Sequence, residues 1–177
     1  MGPPGHFGIA LAAKPLAPEV PLWALLVASE ALDLMSFAFE AVGLEKFAVT
    51  QTDFAHGVQT LVPGSVPYSH GLVMSIIWSI LFGALAYIFF RNGRISVILG
   101  LVVFSHWVLD FIVHIQDLPL FLEESPLLGL GLWGSGPGLI ASIILEFTLL
   151  TGGLGIYLVF RKRNKPQITL KERSGDV

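Results

Sequence analysis

The chain has 177 residues, of which 54% are hydrophobic and 13% charged, and its mean hydropathy of +0.75 argues against a soluble monomer. It contains no cysteine, which excludes disulfides, thiolate metal ligands and cysteine nucleophiles, so any metal must be held by imidazole and carboxylate. A formal charge of −3 and a pI near 5.9 carry no nucleic-acid footprint.

The chain opens with an apolar run, Phe7 to Ala13, that is too short to span a bilayer and lacks the charged flank of a signal peptide. It reads either as a half-helix dipping into the membrane or as an interfacial helix, ending at Lys14-Pro15. Four later stretches each supply about 20 mostly apolar residues, enough at 1.5 Å per residue to cross ~30 Å of hydrocarbon. They are Val20 to Val42, Gly71 to Phe90, Ile95 to Ile115 and Leu139 to Phe160. The expected fold is all-α: a polytopic bundle of four transmembrane helices plus the short N-terminal helix, in one domain over 1–160, followed by a polar tail over 161–177. Arg91-Asn92-Gly93-Arg94 marks a tight turn, and Pro119, Pro126 and Pro137 mark a longer loop. His56 falls in the polar outer loop and reads as solvated.

Nine of the ten basic residues fall on one face of this four-span topology, leaving Lys46 beside Glu45, Asp53, Asp117, Glu123 and Glu124 on the other. Because Lys and Arg accumulate on the cytoplasmic side, both termini are expected there, in a multi-pass protein of the cell's inner membrane with lipid as its partner and no nucleic acid.

Ionisable residues inside spans cost roughly 2.5–3.5 kcal/mol each on insertion scales and default to functional hypotheses. Glu30, Asp33, Glu40, His106, Asp110, His114 and Glu146 lie inside three of the four spans, with no Lys or Arg among them. Protonation or a bound cation must compensate. Steps of 100° place His106, Asp110, His114 and Asp117 within an arc of about 80°, and His and Asp at i and i+4 can chelate one ion or simply hydrogen-bond. Counting from the cytoplasmic ends, Asp33 lies about 20 Å deep, His106 about 16 Å, Asp110 about 22 Å and Glu146 about 21 Å, so three helices deliver ligand-type side chains to one layer. His70, held between stiff prolines and a helix start, is placed either as a ligand or as a cap. His6 reaches that layer only if its helix enters the membrane. Glu146 reads as a proton carrier or as a protonated structural residue, and Glu40 as reaching the interface.

Several of these stretches together resemble a known family. Pro67-Tyr68-Ser69-His70, Ser105-His106-Trp107-Val108-Leu109-Asp110, His114 with Asp117-Leu118-Pro119-Leu120, and Gly129-Leu130-Gly131-Leu132-Trp133 resemble the bacterial membrane-bound metal-dependent hydrolases, a group that includes LexA-regulated inner-membrane proteins. The resemblance runs from about His6 to Phe160, and its most specific element is His-x-x-x-Asp on a membrane helix with an upstream Ser-His. It implies a metal set on His6, Asp33, His70, His106 and Asp110. Where a His-Arg-Pro-Asp-type sequence would stand, this chain reads His114-Ile115-Gln116-Asp117 and lacks the arginine.

The leading expectation is therefore a membrane-embedded hydrolase of lipid-like esters or phosphoesters near the outer leaflet. It would use a divalent cation, zinc first and manganese or magnesium as alternatives, with His114, Asp117 and Glu146 handling protons. The alternatives are a small ion or proton-coupled transporter, since intramembrane Asp, Glu and His also mark ion pathways, and a structural membrane protein with a polar core. The almost wholly apolar stretch Ile95 to Phe104 favours a one-sided site over a pathway.

Overall fold

The computed structural model describes residues 1–46, 49–53, 58–62, 65–122 and 124–164. His56, Glu123 and the tail beyond Asn164, which figure in the sequence reading, lie outside the described residues. Seven helices account for most of the chain: α1 (Pro3–Ala13), α2 (Leu22–Ser29), α3 (Ala31–Ala41), α4 (Pro67–His70), α5 (Leu72–Phe90), α6 (Gly93–Val113) and α7 (Gly136–Arg163). Three of them, α5, α6 and α7, are long and apolar enough to cross a membrane, and α2 with α3 makes a fourth if that bent pair is one span.

The expected first span, Val20 to Val42, is broken rather than continuous. Its axis turns by 57° between α2 and α3, at Glu30 (φ −105°, ψ 9°). The sequence has neither proline nor glycine there; instead Ser29 Oγ donates back to the Leu26 carbonyl at 2.8 Å, a bond that bends helices, and the Ser29 carbonyl is taken by a histidine of α6.

The short N-terminal helix is packed inward. α1 starts on Pro3 and Pro4, where a missing N–H costs nothing, and buries Gly5, His6, Gly8, Ala10 and Ala13. It lies along α7: Gly2 N donates to Glu146 Oε1 at 2.9 Å, and Gly8 sits so close to Leu149, Leu150 and Gly153 that a Cβ on Gly8 would overlap backbone. The contacts advance along α7 as α1 advances, so the two helices run in the same direction and Lys14 points toward the Arg161 end. Of the half-helix and the interfacial helix that the sequence allows, the half-helix is the one consistent with this burial against α7. The structure also places Met1 inside, its amino group against Asp110, rather than at the basic edge with the C-terminal end. Lys14 Nζ staples the next turn by donating to the carbonyls of Pro18 (2.8 Å) and Val20 (2.5 Å).

The all-α expectation misses two small antiparallel pairs. β1 (Val49–Asp53) pairs with β2 (Val58–Val62) in a hairpin, and a Lys46–Ser65 bridge closes its neck through Lys46 N to Ser65 O (3.1 Å) and Ser65 N to Lys46 O (2.8 Å). β3 (Leu118–Pro119) pairs with β4 (Leu127–Leu128) in the loop before α7.

The α5–α6 connection follows the expected turn chemistry. Arg91 takes the left-handed conformation (φ 50°) that ends α5, and the Asn92 side chain caps α6 by accepting from Arg94 N at 2.9 Å. α5 and α6 then pack closely, because Gly83 and Gly100 each face backbone of the other helix and Ser96 Oγ donates to the Gly83 carbonyl. α6 stops at Val113, short of the expected Ile115, and His114 leaves with extended geometry (φ −65°, ψ 145°). α7 runs on to Arg163, past the boundary expected at 160, so Arg161, Lys162 and Arg163 cap the negative end of a helix instead of opening a tail.

Candidate metal centre

Five side chains that the sequence singled out meet where α1, α3, α4 and α6 converge. The ligand atoms of His6, His106 and Asp110 lie within 4.8 Å of one another, and so do those of Asp33, His70 and His106. Asp110 joins the two groups, with Oδ1 3.6 Å from His6 Nε2 and Oδ2 3.2 Å from His106 Nε2 and 3.5 Å from His70 Nε2. Asp33 Oδ1 completes the cluster at 3.2 Å from His70 Nε2 and 3.4 Å from His106 Nε2. The rings of His6 and His106 stack at 3.8 Å between centroids, 8° from parallel. All but Asp33 are buried.

Two of the imidazoles are oriented by a neighbour. His106 Nδ1 lies 2.7 Å from the Ser29 carbonyl, which can only accept, so that nitrogen carries a proton and, in the neutral ring, Nε2 turns its lone pair to the cluster. The break between α2 and α3 is what brings this carbonyl to the ring. His70 Nδ1 lies 2.8 Å from Ser69 Oγ, and the His70 carbonyl accepts from Trp107 Nε1 at 2.8 Å. Among the described residues, His6 Nδ1, His6 Nε2, His106 Nε2 and Glu30 Oε1 are buried without a hydrogen-bond partner. Buried polar atoms are rarely left unpaired, and three ring nitrogens unpaired beside two carboxylates are the donor set of a cation site. These buried His and Asp groups could hold a metal ion.

The remaining sequence candidates lie around the cluster. His114, at the end of α6, has Nε2 3.9 Å from Asp110 Oδ1, while its Nδ1 faces Asp117 Oδ1 at 3.1 Å and its ring tilts on Trp133 at 4.5 Å. Asp117 thus meets His114 in the turn after α6; the helical stripe drawn from sequence does not extend to it, because the helix has already ended. Glu146 is engaged with the start of α1. Glu40 is exposed on α3 and takes no part.

Glu45 is the residue the sequence reading passed over. Assigned to the acidic outer face beside Lys46, it is instead only 2% exposed and accepts four hydrogen bonds, from Tyr68 N, Ser69 N, Ser69 Oγ and Ser36 Oγ. Nothing in a Glu-Lys pair between Leu44 and Phe47 separates a buried anchor from a surface ion pair. Comparison with family models, with curated proteins and with solved structures finds no match to this chain.

Proposed function

We propose that this chain is a membrane-embedded, metal-dependent hydrolase whose centre holds one divalent cation among His6, Asp33, His70, His106 and Asp110. The observation that carries the metal is the convergence of His106 Nε2, the free nitrogen of a ring whose Nδ1 is tied to the Ser29 carbonyl, with two carboxylates and two further imidazoles. The Met1 ammonium meets Asp110 alone, and the rest of the cluster is compensated either by protonated imidazole or by a cation; a cation engages all five side chains at once. One ion fits better than two, because both ligand groups depend on the same His106 nitrogen. Three imidazoles with two carboxylates suit zinc, then manganese; magnesium, which prefers oxygen ligands and keeps its waters, suits the set least.

When bound, such a cation would polarise an ester or phosphoester and make water nucleophilic near neutral pH. The protein's own groups supply the rest. His114 bridges buried Asp110 and the more exposed Asp117, a path by which a proton can leave the centre. Asp110 stands about 25 Å along α6 from Gly93 and within about 5 Å of its other end. With the basic turns on the cytoplasmic side, the centre opens toward the outer leaflet of the inner membrane. Lipid-like esters or phosphoesters are the substrates that reach such a site. Hydrolysis itself rests on the family resemblance, and the apolar run from Ile95 to Phe104, which offers an ion no route to the other side, supports it over transport.

The test uses the full chain purified in detergent. About one zinc per chain, with release of head group, phosphate or fatty acid from a panel of phospholipids and simpler esters, is the expected result. No turnover on any ester, together with Asp110-dependent ion flux in proteoliposomes, would replace the hydrolase with a transporter.

A further inference from the structure

The four bonds to Glu45 have a direction, and it reaches the centre. Oε1 accepts from two backbone amides of the α4 turn, Tyr68 N at 2.8 Å and Ser69 N at 2.7 Å, while Oε2 accepts from Ser36 Oγ at 3.0 Å and Ser69 Oγ at 2.7 Å. A carboxylate only accepts, so the single proton of the Ser69 hydroxyl points at Glu45. Toward His70 Nδ1, 2.8 Å away, the same hydroxyl can then only accept. Nδ1 therefore carries a proton, and in the neutral ring Nε2 faces Asp33 and Asp110 as a lone pair. The Lys46–Ser65 bridge holds Glu45 opposite the turn, and Trp107 fixes the other side of His70 through its carbonyl.

We propose that Glu45 is a positioning residue of the centre, acting through the Ser69 hydroxyl to fix the Nδ1–H form of His70 and so keep Nε2 available to a cation. This rests on the reading of His70 as a metal ligand. It makes an unusual demand on a conservative change. In Glu45→Gln the amide oxygen still accepts from the two backbone amides, but its NH2 group donates to Ser69 Oγ; the hydroxyl proton must then turn to His70 Nδ1, leaving the ring proton on Nε2, where it blocks coordination.

The experiment uses the full chain in detergent micelles, with zinc affinity measured by chelator competition and histidine tautomers read by nitrogen-15 NMR on the metal-stripped protein. Glu45→Gln should weaken zinc binding by about 10- to 100-fold, the usual cost of losing an outer partner of a metal ligand. Ser69→Ala, which leaves the Glu45 bonds to the turn in place, should weaken it similarly, and neither change should weaken it further in a His70→Ala background. The His70 signals should report Nδ1–H in the wild type, Nε2–H in Glu45→Gln and a mixture in Ser69→Ala. Unchanged tautomers in both variants, or an equal loss of affinity in the His70→Ala background, would overturn the proposal and leave Glu45 a fold anchor. If Glu45→Gln does not fold, Ser69→Ala carries the same comparison. If the wild type binds no zinc, the metal reading fails, while the NMR comparison still decides whether Glu45 sets the tautomer.

Discussion

At His106 the two ring nitrogens have separate tasks: one is tied to a carbonyl freed by a helix break, the other is left bare inside the cluster. In the proposed metal centre, removing either it or Asp110 takes away a direct ligand, a larger loss than the about 10- to 100-fold cost of an outer partner. His106→Ala and Asp110→Ala should bring zinc from about one per chain to near none by elemental analysis; wild-type content in both would reduce the pair to a structural contact. Asp117→Asn belongs to a different class. Among the described residues its side chain meets His114 alone, so metal content should hold while ester turnover falls, by an amount typical of proton-transfer groups, about 10²-fold or more. The i, i+4 spacing of His106 and Asp110 made their approach on one face readable in advance, since one helix fixes it. The contributions of Ser29 and Glu45 were not readable, because a carbonyl is the same in every residue and burial of a carboxylate depends on what folds over it.

Among the elements, α1 shows how little propensity decides. Seven apolar residues before Lys14 suit a surface anchor as well as a half-helix; what settles the matter is Gly8 against the Leu149–Gly153 stretch of α7, a contact between residues far apart in sequence. Gly8→Val should force the two helices apart at an overpacking cost of about 1–3 kcal/mol and draw His6 out of the cluster. Weakened zinc binding together with a lowered melting temperature is expected, whereas Gly155→Ala on α7, where a Cβ meets nothing within 4 Å, should change neither. Equal behaviour of the two variants would separate α1 from the centre. The long helices α5, α6 and α7 were legible because continuous hydropathy needs no partner to be recognised. The kink at Glu30 was hidden for the opposite reason: a serine in an apolar run does not announce that it will bond back to Leu26, and the Ser29 carbonyl it frees is taken up by another helix.

Over the whole molecule, apolar side chains remain outward on the long helices, Ile80 at 65%, Phe89 at 75% and Ile144 at 62% exposure, as lipid-facing surfaces require. The Arg91–Arg94 turn and the Arg161–Arg163 helix end lie on the same side by chain direction, and α1 carries Lys14 toward it. Reporter fusions after Asn92 and after Asn164 should both read cytoplasm and one within the β1–β2 hairpin the exterior; an exterior signal after Asn92 would invert the topology. That hairpin is closed at its own neck, and the neck, not the strands, sets the spacing between Glu45 and Tyr68. A closed neck insulates. Doubling the excursion between Lys46 and Ser65 would add only roughly 0.6 kcal/mol of closure entropy. An epitope, a purification handle or a whole inserted module can therefore be carried at this point, and the excursion can change length freely, while the buried histidines a few residues away keep their positions.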